Sequence, residues 1–331
     1  MLVYNVSVVV PNYNGIEFLK TCLDSIKNQV MSTDNIDMEL IIVDNASNDM
    51  SIRFIEDYVS KIRETTQFHY TLIENKTNKG FAKAVNQGIK ASTSEYICLL
   101  NNDVELEDNF LISLVKCMNK DENIFAANSK MIQFHNRNLI DDAGDEYNLL
   151  AWTKKEGEGK HKELYDTSYE VFSACGGASM YRKSILDEIG LFDENFFAYM
   201  EDVDLSYRAQ INGYKIVFCP NAEVYHIGSG SSGSRYNDFK IPLAARNNVW
   251  VVYKNMPWPQ KLINILFLFF GFLIKYLFFL NKGFGNLYIN GIKEGLNNRD
   301  KINKVEFKHE NWKNYFKIEW KLIKNMFKYP L

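Results

Sequence analysis

Cysteine is scarce and scattered. The five residues Cys22, Cys98, Cys117, Cys175 and Cys219 include no C-x-x-C pair, which excludes a zinc knuckle, a thioredoxin-like site and a disulfide scaffold. Thiols dispersed in this way suit a reducing cytosol. Basic charge is not in excess either: 38 Lys+Arg stand against 41 Asp+Glu, a net charge of −3. A nucleic-acid-binding core is therefore not expected, and no nucleic acid is among the partners. Met1–Asn5 carries no basic residue and Val6–Val10 runs straight into Pro11, so no secretory signal is read there. With 46% hydrophobic and 24% charged residues, disorder, collagen and coiled coil are excluded as the main state.

What is present is about two domains' worth of chain, 331 residues, or one large domain with appendages. Aromatics reach 14% and crowd into the last third. Charge is uneven as well. Residues 281–331 hold 11 Lys+Arg and 5 Asp+Glu, while the rest hold 27 and 36. An acidic body with a basic tail points to an anionic surface as a partner for the tail.

The first half alternates short apolar runs with amphipathic stretches. Val6–Val10 and Leu40–Val43 read as buried parallel strands, joined by Phe68–Ile73 and Tyr96–Leu100. Between them Ile16–Gln29, Ser51–Tyr58 and Ala82–Ala91 read as helices, and Leu106–Met118 as a further one. This alternation implies a parallel α/β sheet. Asn128–Tyr169 is weakly patterned and reads as a variable insertion or flexible lid. Val171–Tyr181 resumes as strand, Ser184–Ile189 and Asp202–Asn212 are helices, and Lys215–Cys219 and Ala222–Tyr225 are strands.

In parallel α/β sheets ligands bind beyond the carboxyl ends of the strands. The residues there are Pro11-Asn12-Tyr13-Asn14-Gly15, Asp44-Asn45-Ala46-Ser47 and Asn101-Asn102-Asp103. Asn, Asp and Gly are also what ordinary turns are made of. Three such loops on one edge, two of them carrying an acid, favour a site.

The sequence then shows VVVPNYNG at 8–15, VDNASND at 43–49, NKGFAKAVNQG at 78–88 and LLNNDVEL at 99–106, followed by GGASMYRKS at 176–184, FFAYMEDVDLSYR at 196–208 and the His226–Ser231 loop. In this order the motifs resemble the family 2 glycosyltransferases of GT-A fold over about residues 1–256, leaning to the rhamnosyltransferase and galactofuranosyltransferase branch. The resemblance implies an α/β fold with a mostly parallel, Rossmann-like sheet flanked by helices. It also implies an inverting transfer of one sugar from a UDP- or TDP-sugar, assisted by Mn²⁺ or Mg²⁺. Processive synthases carry a Gln/Arg-x-x-Arg-Trp motif that this sequence lacks.

The resemblance also distributes roles. Asp103 is the expected metal ligand; the preceding acid of the usual Asp-x-Asp is here Asn101, which is left to the ribose or a metal-bound water. His226 completes the metal shell, and the glycine-serine loop after it closes over the diphosphate. Asp44 accepts N3–H of the uracil or thymine ring, and Tyr13 after Pro11 lines the base. Asn45, Asn78, Gly80, Asn86 and Asn102 contact the nucleotide or hold its loops. Gly176-Gly177 floors the sugar or acceptor pocket. Lys79 is either a phosphate contact or a solvated cation. Arg246 is either a partner of the diphosphate or a lipid phosphate, or a structural ion pair. Asp202, with Glu201 beside it, is the expected general base. Both precede a helix, whose dipole favours the ionised form. A helix cap is the competing reading, but two acids plus Asp204 in one turn exceed what a cap requires.

Beyond residue 256 a helical extension, 257–331, is expected. Leu262–Leu280 is apolar at 16 of its 19 positions, with Lys275 inside it. An interfacial or re-entrant segment fits it better than a single span. On a helical wheel Trp312, Tyr315, Phe316, Trp320, Leu322, Ile323, Met326 and Phe327 share one arc, beside Lys313, Lys317, Lys321, Lys324 and Lys328. That is the pattern of a helix lying in a membrane surface. The expected place is the cytoplasmic face of the cell membrane, where a sugar nucleotide meets a glycan or polyprenyl-linked acceptor. The alternatives are a nucleotidyltransferase that forms sugar nucleotides, for which Pro11–Gly15 lacks the basic glycine-rich loop, and a non-catalytic glycan- or lipid-binding module.

Overall fold

An apolar run without polar alternation needs cover on both faces, and the first strand receives it. The computed structural model describes residues 3–31, 35–63, 69–228 and 236–328. Strand β1 (Tyr4–Asn12) turns Val6, Val8 and Val10 to one core and Val9 to the other. Helix α1 (Ile16–Met31) leads to β2 (Ile36–Asp44), α2 (Ser51–Arg63) to β3 (His69–Glu74), and α3 (Phe81–Ala91) to β4 (Tyr96–Leu100). The expected start of the third strand, Phe68, lies outside the described residues. Leu19 and Ile26 of α1 cover the first face, and Val85 and Ile89 of α3 the second.

After β4 the order changes. A short β5 (Val104–Leu106) precedes α4 (Phe110–Met118), where the sequence had indicated one longer helix. Then come β6 (Ile124–Gln133), β7 (Ile140–Asp142), β8 (Asp145–Tyr147), β9 (Thr153–Lys155) and β10 (Ala178–Arg182). Next are α5 (Lys183–Ile189), α6 (Glu201–Ile211) and β11 (Lys215–His226). The main sheet runs β3-β2-β1-β4-β10-β6-β11-β5, with β7 on β6. Its first four strands are parallel, β10 is antiparallel to both neighbours, β11 is parallel to β6, and β5 is antiparallel to β11. The sheet is therefore mixed rather than mostly parallel. The two strands expected at 215–225 are one, with a register shift between Phe218 and Glu223, where Pro220 withholds a ladder N–H.

Asn128–Tyr169 is not a flexible insertion. Asn128–Gln133 completes β6 in mid-sheet, and Asp142, Tyr147, Leu149 and Ala151 are buried. Its polarity misled because internal hydrogen bonds absorb it: Asn128 Oδ1 accepts from Cys175 N at 2.8 Å, and Tyr147 Oη donates to Asn248 Oδ1 at 2.9 Å.

The C-terminal part docks closely. Helix α7 (Lys240–Asn255) is followed by α8 (Trp258–Ile263), α9 (Ile265–Asn281), α10 (Gly285–Asn297) and α11 (Trp312–Lys328). The apolar stretch 262–280 breaks at Asn264, which donates to Glu319 Oε1 and Oε2 at 2.9 and 3.0 Å. Among the described residues no helix is long and apolar enough to cross a membrane. Gly291 and Gly295 of α10 lie against α7; a Cβ on Gly295 would meet Arg246 O at 2.9 Å, and one on Gly291 would strike Pro242 O. Gly291→Val should therefore lower stability by about 1–3 kcal/mol. Chemical denaturation measures this, and an unchanged midpoint would show that α10 yields easily. Helix α11 turns Tyr315, Ile318 and Leu322 into a core shared with α6 and α7, while Trp312, Phe316, Trp320 and Phe327 stay exposed. The arc of aromatics expected on one surface is thus divided between core and solvent.

Candidate active site

The carboxyl ends of β1, β2 and β4 open on one cleft of about 750 Å³. A ladder of side chains ties them together. Asn102 Nδ2 donates to Asn12 Oδ1 at 2.7 Å, and Asn12 Nδ2 donates to Asp44 Oδ2 at 2.8 Å. The other Asp44 oxygen accepts from Ser47 N at 2.9 Å. Asp44 is wholly buried, braces the two loops through these bonds and is not among the residues that line the cleft. Pro11, Tyr13, Asn45, Asn78 and Gly80 do line the cleft, as do Asn101, Asn102 and Asp103. Asn45 holds the third loop, donating to Asn78 Oδ1 at 2.9 Å and accepting from Lys79 N at 2.9 Å. Gly80 has φ +84°, and any Cβ there would meet the Phe197 ring and carbonyl at 2.6 Å.

Three expected ligand-binding residues stand elsewhere. Asn86 is buried and pairs with the Phe192 backbone, donating at 2.8 Å and accepting at 3.1 Å. Lys79 does not line the cleft. Arg246 lies on α7, bonded to Glu294 Oε1 at 3.1 Å, to Phe196 O at 3.0 Å, and stacked 4.3 Å from the Trp250 ring. Of the readings open for Arg246, the structural ion pair is what the geometry shows. A sequence gives a cation's position but not the carboxylate that folding brings to it.

Asp103 and His226 come together across β5 and β11, with His226 Nε2 3.5 Å from Asp103 Oδ1. On the other side of the ring, Asp141 Oδ2 lies 2.8 Å from Nδ1. A carboxylate only accepts, so without a cation both Nδ1 and Nε2 carry protons, the second facing Asp103, and a cation bound there would displace the Nε2 proton. Burial opposes charge on His226, but the two carboxylates outweigh it and raise its pKa to about 9. Burial likewise opposes charge on Asp141, which His226 and Lys155 nonetheless hold down at about 2. An oxygen and an imidazole nitrogen facing one space, the ring braced from behind, fit a divalent cation with hard ligands.

Two residues of this group lay inside the supposed insertion. Asp141 is one; Lys155, which lines the cleft with Nζ 3.1 Å from Asp141 Oδ2, is the other. A second group, Asp142, Asp145 and Cys175, brings donor atoms within 4.8 Å of one another. Burial raises the Asp142 carboxyl to about 6. Lys155 supplies the positive charge beside this group. A single sequence carries no signal that separates these charged residues from solvated ones.

Glu201 and Asp202 begin α6 and line the cleft, beside Gly176 and Gly177. Asp202 Oδ1 accepts from Val203 N at 2.8 Å, and Oδ2 from Gly176 N at 3.4 Å. Burial raises the Asp202 pKa despite these N–H groups, so the helix start does not by itself keep the carboxylate ionised at low pH. Glu201 is raised further, by burial and by the Asp202 charge, and its Oε2 has no hydrogen-bond partner among the described residues. Asp204 parts from the other two. It points into the core, with Arg208 at 3.0 Å and Lys254 at 2.9 Å. A Cβ at Gly177 would stand 3.1 Å from Asn101 Nδ2, a tight approach to which the Asn101 side chain would have to give way. Phe197, Tyr199 and Phe239 form an aromatic rim that the sequence did not disclose. The closing loop expected at 228–231 is described only at Gly228; residues 229–235 lie outside the described residues.

Known proteins resemble this chain in sequence and in fold. The family model described as Glycosyl transferase family 2 matches residues 7–190, and one described as Glycosyl transferase family group 2 matches 147–288. A poly-beta-1,6-N-acetyl-D-glucosamine synthase of Staphylococcus epidermidis is 23% identical over 214 residues, covering 63% of this chain and 48% of that protein. The chain spans 60% and 48% of the length of the first two of the curated relatives it matches. Among solved structures, GalNAc-T7 with UDP, GalNAc and Mn²⁺ superposes with a TM-score of 0.59 at 20% identity, covering 76% of this chain and 48% of that one. The mannosyltransferase PcManGT of Pyrobaculum calidifontis, with GDP-Man and Mn²⁺, gives 0.57 at 15%, covering 99% and 87%. These likenesses show the GT-A-like α/β fold.

Proposed function

As the chain belongs to glycosyl transferase family 2, we propose that it moves a single sugar from a nucleoside diphosphate sugar to a glycan acceptor, with inversion at the anomeric carbon. The observation that carries the reading is the shared cleft: Asp202 and the Asp103–His226 pair open on the same space. In the reaction the acceptor hydroxyl gives its proton to the Asp202 carboxylate while its oxygen bonds to the anomeric carbon. The anomeric C–O bond to phosphate breaks and the electron pair leaves with the diphosphate. Asp103 and His226 would hold the divalent cation, which when bound would offset the charge growing on that diphosphate. Asn45 and Tyr13 face the nucleotide end, and Gly176 and Gly177 leave room for the sugar and acceptor. The donor we propose is a UDP- or TDP-sugar, and the narrower form is a rhamnosyl or galactofuranosyl donor, carried by the sequence motifs.

We further propose that the enzyme works on the cytoplasmic face of the cell membrane, on a polyprenyl-linked acceptor in surface-polysaccharide assembly. Two surfaces support this. Helix α9 exposes Leu266, Phe269, Phe270, Leu273, Leu277 and Leu280. Its single cation, Lys275, turns inward over the Trp152 ring at 5.8 Å, and burial lowers its pKa to about 8. Helix α11 exposes four aromatics beside its lysines, the pattern of an interfacial helix.

Melting temperature measured with UDP, TDP, GDP and CMP, each with and without Mn²⁺, tests the donor site. A ligand at ~100 times its dissociation constant adds roughly 2.7 kcal/mol, a readable shift. A Mn²⁺-dependent shift with UDP or TDP, lost in Asp103→Ala, is expected. A shift with GDP alone would replace the donor base, and no shift with any nucleotide would overturn the reading.

A further inference from the structure

The segment that presents the two cleft acids is strained. Within four residues Phe197, Tyr199 and Met200 have φ of 66°, 70° and 68°, and none is glycine. Phe197, with ψ −65°, centres a γ-turn closed by Ala198 N on Phe196 O at 2.8 Å. Such backbone persists only where surrounding groups over-determine it, and it concentrates at functional sites. Here the surrounding groups come from α7. Asn247 is fully buried, and its Nδ2 donates to Phe196 O at 2.9 Å, Ala198 O at 2.9 Å and Tyr199 O at 2.7 Å. Arg246 adds Nη2 bonds to Phe196 O at 3.0 Å and Asn195 O at 3.3 Å. On the other side, Ala82 N donates to Phe197 O at 3.2 Å beside Gly80. Helix α6 begins immediately after, with Asp204 N on Met200 O at 3.0 Å.

We propose that Asn247 is a positioning residue for the transfer. Its carboxamide gathers three carbonyls of the strained turn and thereby sets where Glu201 and Asp202 stand in the cleft. The inference rests on the glycosyl-transfer reading. It also explains the Ala-Arg-Asn-Asn stretch at 245–248, whose cation does not line the cleft. The amide is needed because only a donor can face three acceptors; a carboxylate of the same shape would repel them.

The test compares Asn247→Asp and Asn247→Ala with the wild type. Transfer from UDP- and TDP-sugars is followed, with kcat expressed per nucleotide-binding site so that unfolded protein is not counted. Displacing a catalytic group by about 1 Å costs on the order of 100-fold, so kcat should fall about 100-fold with donor KM changed less than about threefold. Hydrogen exchange should accelerate in peptides over 196–204 and stay protected in the strands of the sheet. Retained kcat, or unchanged exchange over 196–204, would overturn the proposal. Should both variants fail to fold, Arg246→Gln removes the weaker bonds and should lower kcat about tenfold; an unchanged kcat there also overturns it. A wild type that transfers none of the sugars would fail the glycosyl-transfer reading, whereas the exchange result would still report on the clamp.

Discussion

Asp202→Asn is expected to abolish sugar transfer while nucleotide and Mn²⁺ still raise the melting temperature. The substitution keeps the shape and the acceptor oxygen facing Val203 N, removes the group able to take a proton, and gives up the long bond from Gly176 N. Loss of a positioned general base lowers the rate by roughly 100- to 10,000-fold. Transfer measured per nucleotide-binding site checks this. Surviving transfer would move the base to another residue, with Glu201 next in line because it lines the same cleft. The pH dependence has a definite sign. A base must be ionised, and burial raises the Asp202 pKa, so the acid limb of kcat should lie above the ordinary aspartate value and disappear in the variant. A limb at or below that value would show that substrates or the cation reverse the effect of burial.

The second large effect is expected at the proposed membrane face. Deleting α11 would be a poor test, because Tyr315, Ile318 and Leu322 belong to a buried core. Phe316, Trp320 and Phe327 are 69%, 68% and 74% exposed and can be changed without opening it. Each aromatic side chain carries about 150–250 Å² of surface, and at ~25 cal/mol per Å² even partial burial of three amounts to several kcal/mol. Phe316→Ser, Trp320→Ser and Phe327→Ser together should lower binding to anionic vesicles at least about 100-fold, with the melting temperature held. Vesicle flotation at two salt concentrations measures it, since the neighbouring lysines make binding salt-dependent. Unchanged flotation would move the contact to α9, and wild-type protein that never floats would remove it.

Residue spacing made the left half of the sheet legible. Val6–Val10, polar only at Ser7, and Leu40–Val43 bury both faces, and runs so apolar have few alternative placements. The motifs located the acids and the histidine, and Asp103, His226, Glu201 and Asp202 do converge. The right half was less legible. Asn128 and Asp142 look like surface residues, yet both are fully buried and hydrogen-bonded through their side chains. A hydrogen bond formed across 47 residues leaves no trace in local periodicity.

By itself the sequence determined the family, the strand-and-helix order of the first hundred residues, and the types of side chain available for acid–base and metal chemistry. These follow from local rules: apolar spacing, turn residues at strand ends, and short motifs. Only the tertiary structure decided what each charge does. It turned Asp44, Asn86 and Arg246 to bracing, sent Asp204 into the core, brought Lys155 to the cleft and set Asp141 behind the His226 ring. It also divided the aromatics of α11 between the interior and an exposed face. The physical reason is that a polar side chain's role is set by the partner that meets its donor or acceptor once water is excluded. Those partners are chosen by the packing of segments far apart in the chain.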